Sequence, residues 1–257
     1  MSPGENILEV RGLTKAYGHV EALRGLDMTV RAGEVLGVVG DNGAGKSTFI
    51  RMISGVERPD GGQILLDGSE VQISSPQVAR RLGIQTVYQD LALAADLDAA
   101  SNLFIGREIR RSGLLGKLGF LDFRAMRTQA VETFGGLGVA IQDPAAAIAG
   151  YSGGQQQGVA VARAVHWAKK MLLLDEPTAA LGVMQTRGVL ELIRRVKDAG
   201  VTVVLVSHNM VDVLSVCDRV AVLRLGRLVS VHQAADADVD ILVGDLTGAS
   251  TIARGNR

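Results

Sequence analysis

A glycine-rich stretch near the start of the chain combines small residues, a lysine and two hydroxyl groups at fixed spacing. It consists of Gly40, Asp41, Asn42, Gly43, Ala44, Gly45, Lys46, Ser47 and Thr48. Such a loop at a helix N-terminus points several backbone N–H groups at one place, as polyphosphate binding requires. Lys46 would neutralise the β- and γ-phosphates, and the Ser47 hydroxyl would be a ligand of Mg²⁺. A chance glycine-rich turn is the alternative, but the apolar strand before the loop and the helical pattern after it favour binding of ATP or GTP.

Two adjacent carboxylates, Asp175 and Glu176, follow the apolar run Met171–Leu174. They are predicted to stand at the carboxyl end of a buried strand, where α/β sheets bind ligands. Asp175 would hold Mg²⁺ directly or through water, and Glu176 would polarise an attacking water molecule. A hydrophobic strand that ends in Asp-Glu is ordinary by itself, so this assignment depends on the glycine-rich loop.

A second possible anion-binding pattern consists of Ser152, Gly153, Gly154 and Gln155, which come directly before a helical pattern. A hydroxyl, exposed amides and the positive end of a helix dipole can together bind a phosphate. One nucleotide does not need two such surfaces from one chain. We therefore predict that this segment contacts a nucleotide bound to a second copy of the chain.

The elements that position these motifs follow from the hydrophobic pattern. Strands are predicted at 7–10, 26–30, 34–39, 83–89, 171–174 and 201–207, with a hairpin over 220–231 that turns near Gly226. Helices are predicted over 47–54 and 185–199, after the pair Ser75-Pro76, and directly after Gly154. The alternation of strands and helices in the second half predicts a parallel sheet.

The amino-acid composition changes between about residues 91 and 155, where alanine, leucine and charged residues replace the β-branched runs. We interpret this segment as an inserted helical subdomain, with residues 113–119 as a loop within it. The fold class is then α/β: a P-loop NTPase core with an N-terminal antiparallel β-subdomain and an inserted α-helical subdomain. The whole chain, 1–257, is predicted to be one nucleotide-binding domain with a disordered tail over 249–257.

The bulk composition excludes several classes of protein. The 257 residues carry 27 basic and 27 acidic side chains, which argues against a nucleic-acid protein held by a general basic surface. The single cysteine, Cys217, excludes an internal disulfide framework and a cysteine metal cluster, and we expect a small buried hydrophobe within a helix. No secretory pattern is visible, and the longest apolar runs fall far below the ~20 residues that span a bilayer. We expect a soluble chain that a partner holds at any membrane.

The three motifs, in this order and at this spacing, make the sequence resemble the ATP-binding subunits of ABC transporters over about residues 7–248. The resemblance extends to three single residues. Tyr17 resembles the aromatic residue that stacks on adenine, and His208 the histidine that contacts the γ-phosphate. Gln89 resembles the glutamine that senses the γ-phosphate with its metal and meets the membrane partner. Taken alone, these would be a packing tyrosine, a structural histidine and a polar strand end.

The stretch 90–108 resembles the monosaccharide importers of the ribose, xylose and fructose type, in their single-domain form. The resemblance implies a Mg²⁺-dependent ATPase that works as a dimer, expected to be a homodimer, on the cytoplasmic face of the inner membrane. It implies an integral membrane permease docked at 89–97 and an extracytoplasmic sugar-binding protein, with no nucleic acid. An importer ATPase for amino acids or lipids, and a non-transport ATPase acting on DNA or ribosomes, are the alternatives.

One position departs from the family pattern. After Glu-Pro-Thr the family usually has Ser-Ala-Leu-Asp, whereas this chain has Ala179-Ala180-Leu181-Gly182. That aspartate is a cross-dimer contact in the family, so we expect the closed dimer to form less tightly here. The alternative is that Gly182 has a positive φ, a conformation that an aspartate would tolerate poorly.

Overall fold

The computed structural model of the chain describes residues 4–141, 143, 145–179 and 181–249. The predicted disordered tail, 249–257, lies outside these residues except for its first position. Within the described residues, no helix is long and apolar enough to cross a bilayer.

The N-terminal strands form an antiparallel sheet in the order β2-β1-β4-β5. Its members are β1 (Asn6–Tyr17), β2 (Val20–Arg31), β4 (Gly61–Leu66) and β5 (Ser69–Glu70). The antiparallel pairing predicted for the start of the chain is confirmed, but β1 and β2 are 12 residues each and extend well beyond 7–10 and 26–30. The alternation breaks at Gly12, where φ is +57°, and an irregularity in the pairing there lets the strand continue.

The central sheet has six strands in the order β10-β9-β3-β8-β7-β6. Five of them run parallel: β3 (Val35–Gly40), β6 (Ile84–Val87), β7 (Met171–Asp175), β8 (Thr202–Val206) and β9 (Arg219–Arg224). The antiparallel strand β10 (Arg227–Gln233) completes the predicted hairpin. Because β3, β8 and β7 are neighbours, the residues that follow their carboxyl ends meet at one edge of the sheet.

The helices are, in chain order, α1 (Lys46–Ile53), α2 (Pro76–Arg81), α3 (Ala99–Phe104), α4 (Gly113–Lys117), α5 (Phe123–Gly136), α6 (Gly153–Trp167), α7 (Val183–Asp198), α8 (Met210–Val216) and α9 (Val239–Thr247). Side chains alternate between two cores on the two faces of the central sheet. Leu172 and Leu174 belong to the core that also contains residues of α3 and α5–α8. Met171 and Leu173 belong to the core shared with α1 and the antiparallel sheet.

The segment predicted as a helical subdomain, 91–155, contains α3, α4, α5 and the start of α6. Its buried residues Phe104 and Phe134 lie in the same core as one face of the central sheet, and the subdomain boundaries stay a prediction. The loop predicted over 113–119 is wrong, because α4 lies there. Glycines disfavour a helix by local propensity, but pairing of Arg110 with Leu121 closes the segment around this single turn.

Cys217 lies just beyond α8 in an extended conformation rather than within the helix. The residue is partly buried, and burial above all raises the pKa of its thiol. An inert side chain that packs beside the sheet is what this environment favours.

Candidate functional site

The glycine-rich loop joins β3 to α1, and its backbone touches the neighbouring elements closely. A Cβ atom at Gly40 would lie 2.5 Å from the Leu223 carbonyl oxygen, and one at Gly45 would lie 2.7 Å from that of Ala22. Gly45 has φ +102° and precedes α1 without any side-chain cap. Only glycine fits these two positions, and the N-terminal N–H groups of α1 receive no side-chain partner from Gly45.

The loop is supported from behind by the β9–β10 turn. The Gly226 N–H donates to the Ala44 carbonyl at 3.1 Å, and the Gly226 carbonyl accepts from the Arg24 N–H at 2.9 Å. A Cβ atom at Gly226 would lie 2.8 Å from the Ala22 carbonyl. The C-terminal hairpin and the N-terminal sheet therefore meet at the back of the loop.

Lys46 is buried at the first position of α1. Its ammonium donates to the carbonyls of Gly40 at 2.6 Å and Asp41 at 3.1 Å. Burial is the main cause that lowers the pKa of Lys46, and the charges of Glu176, Asp41 and Asp175 oppose this shift. The loop thus holds a partly desolvated cation beside its backbone amides, a combination suited to phosphate oxygens.

The loop forms one wall of a cavity of about 470 Å³. The predicted residues that line this cavity are Tyr17, Asp41, Asn42, Gly43, Ala44, Gly45, Lys46, Ser47, Thr48, Gln89, Glu176 and His208. Residues separated by up to 191 positions, from 17 to 208, therefore share one space. Gly40 does not line the cavity, but its carbonyl oxygen accepts a hydrogen bond from the Lys46 ammonium, which links the start of the loop to α1.

Glu176 and His208 form a direct contact at the sheet edge. The Glu176 carboxylate lies 2.8 Å from His208 Nδ1, which makes an ion pair when the imidazole is protonated. Glu176 has φ +53°, and its N–H donates to the Val206 carbonyl at 2.9 Å. A non-glycine residue with this φ carries backbone strain of the kind found at functional sites. A carboxylate held in this way can accept a proton from a nearby water molecule.

Asp175 ends β7 next to Glu176, and its Oδ1 is buried without a hydrogen-bond partner in the described part of the chain. Burial, followed by the charge of Glu176, raises the pKa of Asp175, while Arg51 and Lys46 oppose the shift. A buried polar atom without a partner requires an explanation, and a cation supplies one.

The three side chains predicted as metal ligands, Ser47, Gln89 and Asp175, all offer oxygen atoms, as a hard cation requires. The exposed Ser47 hydroxyl and the exposed Gln89 side chain line the adjoining cavity, and oxygen ligands are those that Mg²⁺ prefers. The described residues contain no cluster of three or more His, Cys, Asp and Glu side chains that could hold a metal. A cation here would therefore take its remaining ligands from substrate oxygens and water.

Tyr17 lies at the mouth of the cavity with 40% of its surface exposed. Its hydroxyl donates to Glu57, and the Lys15 ammonium lies 5.9 Å from the ring centroid. Burial is the main cause that raises the pKa of the Tyr17 hydroxyl, and the hydrogen bond to Glu57 adds to the shift. The fixed hydroxyl and exposed ring leave an aromatic surface on which a planar base could stack.

The segment Ser152–Gln155 does not reach this cavity. The Ser152 hydroxyl accepts from the Gln155 N–H at 3.3 Å, and Gln155 Oε1 accepts from the Ser152 N–H at 2.9 Å, so the two residues cap α6. With Gly154 they line a different cavity, shared with Gln185 of α7. Gly153 also belongs to this N-terminus, and a Cβ atom there would touch Leu181 at 3.4 Å. Contact with the nucleotide of a second copy stays a prediction.

Gly182 precedes α7 as its N-cap residue with φ −73°. The alternative of a positive φ at this position is therefore wrong. A Cβ atom there would meet only Gln185 Oε1, at 3.8 Å, so the backbone accepts an aspartate without strain.

Some residues that line the cavity carry no sequence signal. Val20 and Ala22 belong to β2, and Ala179 follows the Asp-Glu strand. Small apolar residues in a strand indicate packing, and only the position of β2 beside the loop brings them to the cavity. Arg51 does not line the cavity and also carries no sequence signal, yet its charge acts on Asp175 from the last turn of α1.

The sequence matches the family model described as ABC transporter over residues 23–179. It is 49% identical to the fructose import ATP-binding protein FrcA of Rhizobium meliloti, over 95% of each chain. It is 41% identical to the xylose/arabinose import ATP-binding protein XylG of Sulfolobus acidocaldarius, over 94% of each chain. The ribose import ATP-binding protein RbsA 1 of Rubrobacter xylanophilus is 43% identical, and the match spans 95% of this chain and 47% of that protein.

Solved structures agree on the fold. The ADP conformation of MJ1267, an ATP-binding cassette of an ABC transporter, superposes with a TM-score of 0.80 over 97% of this chain and 98% of that chain, at 22% identity. The structure of cbiO1 from Clostridium perfringens, part of an ABC transporter complex, gives a TM-score of 0.77 over 93% of each chain, at 26% identity. The predicted α/β fold with an N-terminal antiparallel sheet is confirmed.

Proposed function

The chain belongs to the ABC transporter family, and we propose that it is the ATP-hydrolysing subunit of a monosaccharide importer. The observation that carries the ATPase part is the single cavity that joins Lys46, Glu176 and His208 to the glycine-rich loop. The substrate class is supported by relatives named for the import of fructose, xylose/arabinose and ribose, which match at 41–49% identity. The relatives named for fructose and xylose/arabinose match over 95% and 94% of their own length, as expected for a single-domain ATPase.

Nucleotide binding is assigned to the loop and Tyr17. The Lys46 ammonium would exchange its two carbonyl acceptors for the β- and γ-phosphate oxygens. The uncapped N-terminus of α1 would donate its backbone N–H groups to the same phosphates. The exposed ring of Tyr17 would stack on the adenine at the mouth of the cavity.

Hydrolysis is assigned to Glu176 as the base. Its carboxylate would orient the attacking water and accept its proton, and His208 would contact the γ-phosphate. Since His208 Nδ1 lies 2.8 Å from this carboxylate, the imidazole also fixes the direction in which Glu176 points. Mg²⁺, held by Ser47, Gln89 and Asp175, would supply positive charge to the phosphate oxygens.

A second copy of the chain would complete each site. Ser152–Gln155 lies outside the cavity of its own chain, but it presents a helix N-terminus of the kind that binds phosphate. Two copies arranged head to tail would each place this segment over the nucleotide of the other. The working unit is therefore proposed to be a homodimer that closes on ATP.

The permease is assigned to a groove that borders Gln89. This groove has a volume of about 280 Å³, and its lining includes Tyr88, Asp90, Arg107 and Trp167. The Arg107 guanidinium lies 4.4 Å from the centroid of the Trp167 ring, which fixes a cation at the rim. A cytoplasmic segment of the permease would fill the groove, and an extracytoplasmic sugar-binding protein would deliver the cargo. The protein would thus work peripherally, on the cytoplasmic face of the inner membrane.

The substitution Glu176→Gln tests this proposal because it keeps the shape of the site and removes the base. We expect ATP binding to be retained, hydrolysis to fall by about 10²–10⁴-fold, and an ATP-dependent dimer to accumulate in size exclusion. In cells that depend on this chain for import, uptake of labelled fructose, xylose and ribose should fall with it. Loss of amino acid uptake with unchanged sugar uptake would show that the cargo is an amino acid and not a sugar. Turnover like that of the wild type would show that Glu176 is not the base.

A further inference from the structure

Residues 109–122 form a closed hairpin at the surface. The Arg110–Leu121 bridge closes it, together with hydrogen bonds from the Arg111 N–H to the Phe120 carbonyl and from the Asp122 N–H to the Ile109 carbonyl. The single-turn helix α4 forms its tip. We call residues 109–122 the tip hairpin.

The tip hairpin exposes an unusual amount of apolar side chain. Leu114 and Leu118 are 73% and 66% exposed, and they lie four residues apart, on one side of the helical turn. Leu115 and Phe120 are exposed as well. A cluster of large exposed apolar residues marks an interaction site rather than ordinary surface.

Positive charge accompanies this apolar cluster. Arg110, Arg111 and Lys117 are exposed in the tip hairpin, against one carboxylate, Asp122, whose oxygen caps α5. None of the three cations forms a salt bridge with any described residue, although the charge of Arg110 acts on Glu108, just before the hairpin. The whole chain has 27 basic and 27 acidic side chains, so the excess of positive charge is local.

The shape of the tip is fixed by the fold. Gly116 is buried, and a Cβ atom there would lie 1.7 Å from the Arg111 carbonyl oxygen. Any larger residue would force α4 away from the Arg111 backbone that packs against it. The leucines of the tip therefore stand exposed on a closed structure and not on a loose loop.

The position of the tip hairpin relates it to the proposed permease groove. Ile105 and Arg107, which line that groove, precede the hairpin by only a few residues. If the permease occupies the groove, this side of the protein faces the membrane, and the hairpin follows the groove residues directly in the chain.

We propose that the tip hairpin contacts an anionic lipid surface, with Leu114 and Leu118 in the headgroup–acyl boundary and Arg110, Arg111 and Lys117 on the lipid phosphates. Large apolar side chains flanked by basic residues are what interfacial segments use, and binding depends on buried apolar area plus attraction to anionic lipids. The inference rests on the proposed function for its geometry, because that function places this side towards the membrane. Contact with the bilayer would support the attachment that the permease provides.

The test is sedimentation of the purified full chain with phosphatidylcholine vesicles, with and without phosphatidylglycerol. We expect partitioning that requires phosphatidylglycerol and weakens as salt is raised. Leu114→Ser combined with Leu118→Ser should reduce partitioning by about tenfold, and Arg110→Gln with Arg111→Gln should remove its dependence on phosphatidylglycerol. Val239→Ser with Val243→Ser is the matched control, since these exposed residues of α9 have the same spacing.

Basal ATPase and thermal melting keep this test separate from that of the proposed function. Both should be unchanged in the leucine and arginine variants, because the tip hairpin contributes nothing to the cavity around Lys46. No sedimentation with anionic vesicles, or equal loss in the α9 control, would overturn the lipid assignment. Loss of a concentration-dependent oligomer in the leucine variant would overturn it as well, and would make the tip a contact between copies.

Discussion

The N-termini of α1 and α6 are both glycine-rich, yet the structure treats them differently. At α1, Gly45 offers no side chain, and a buried lysine follows it directly. At α6, Ser152 and Gln155 satisfy each other's backbone N–H groups through a capping box. The first N-terminus has no side-chain cap and lies inside a cavity of its own chain. The second has the N–H groups of Ser152 and Gln155 capped and lies outside that cavity, so only its remaining N–H groups are left for a phosphate of another chain. A helix N-terminus alone therefore does not define a binding site, because its caps decide what it can still bind.

The largest expected effect is at the open N-terminus. Lys46→Ala should weaken MgATP binding strongly and reduce hydrolysis by at least about a hundredfold, because it removes a charge-assisted contact to the phosphates. Lys170→Ala is the control, since this lysine forms a salt bridge with Asp67 at the surface. Equilibrium binding of a fluorescent ATP analogue and steady-state phosphate release measure the two quantities. Turnover like that of the wild type in Lys46→Ala would contradict the whole site assignment.

A smaller effect is expected at the capped N-terminus. Ser152→Ala should leave ATP binding by the single chain intact and reduce ATP-dependent dimerisation and turnover by about tenfold, as loss of one hydrogen bond to a charged group does. The lost cap costs about 1 kcal/mol of helix stability, so Asp238→Ala, which removes the cap of α9, is the matched control. Equal loss of turnover in both variants would show that Ser152 acts only as a cap.

The charge of Asp175 belongs to the site at the N-terminus of α1, where the charge of Lys46 acts on it. The raised pKa of Asp175 means that its carboxylate is favoured less in the folded chain than in the unfolded chain. The stability linked to this group is complete below its unfolded pKa and is lost as the pH rises through the folded pKa. In Mg²⁺-free buffer at neutral pH, Asp175→Asn should therefore raise the Tm, and at low pH the two melting points should converge. The same variant should lose Mg²⁺-dependent ATPase activity, and a lowered Tm at neutral pH would contradict the burial argument.

The smallest effect is expected at Gly182, the N-cap residue of α7. An aspartate is a better cap than glycine by a few tenths of a kcal/mol, and the backbone at φ −73° accepts it. Gly182→Asp should therefore raise the Tm slightly and increase the cooperativity of ATPase activity in ATP if the carboxylate reaches the opposite chain. Gly182→Ala separates the two effects, because it offers neither cap nor charge. Unchanged cooperativity in Gly182→Asp would show that the departure from the family pattern is neutral.

Residue types at fixed spacing predict the glycine-rich loop and the Asp-Glu pair as two parts of one phosphate site, and the roles of these residues stay a prediction. The glycine-rich loop and the Asp-Glu pair each require a preceding strand that ends at the sheet edge. The strand patterns Glu34–Val39 and Met171–Leu174 provide these two strands. The positions of Tyr17, Gln89 and His208 in the same cavity were expected only from the family resemblance. These three residues are far apart in the sequence, and no local pattern predicts that they line one cavity.

Other features depend on tertiary contacts that sequence patterns do not express. The sequence predicts a loop over 113–119, but α4 lies there although three glycines at 113, 116 and 119 disfavour a helix locally. The pairing of Arg110 with Leu121 overrides this preference. The contact of Glu176 with His208 is similar, because it arises from the parallel alignment of β7 and β8. Such effects appear only when the sheet order is known.

The support that Gly226 gives to the glycine-rich loop has a consequence for synthesis on the ribosome. In the sheet, β3 lies between β8 and β9, both from the last quarter of the chain, and Gly226 hydrogen-bonds Ala44 from behind the loop. A nascent chain that has emerged only as far as residue 200 contains the loop, Lys46 and Glu176, but neither strand neighbour of β3. The site can be assembled only after the last strands emerge, because such long-range pairings form late. Translation products truncated there would thus carry the glycine-rich loop, Ser152–Gln155 and Glu176, lack His208, and are expected to bind no ATP.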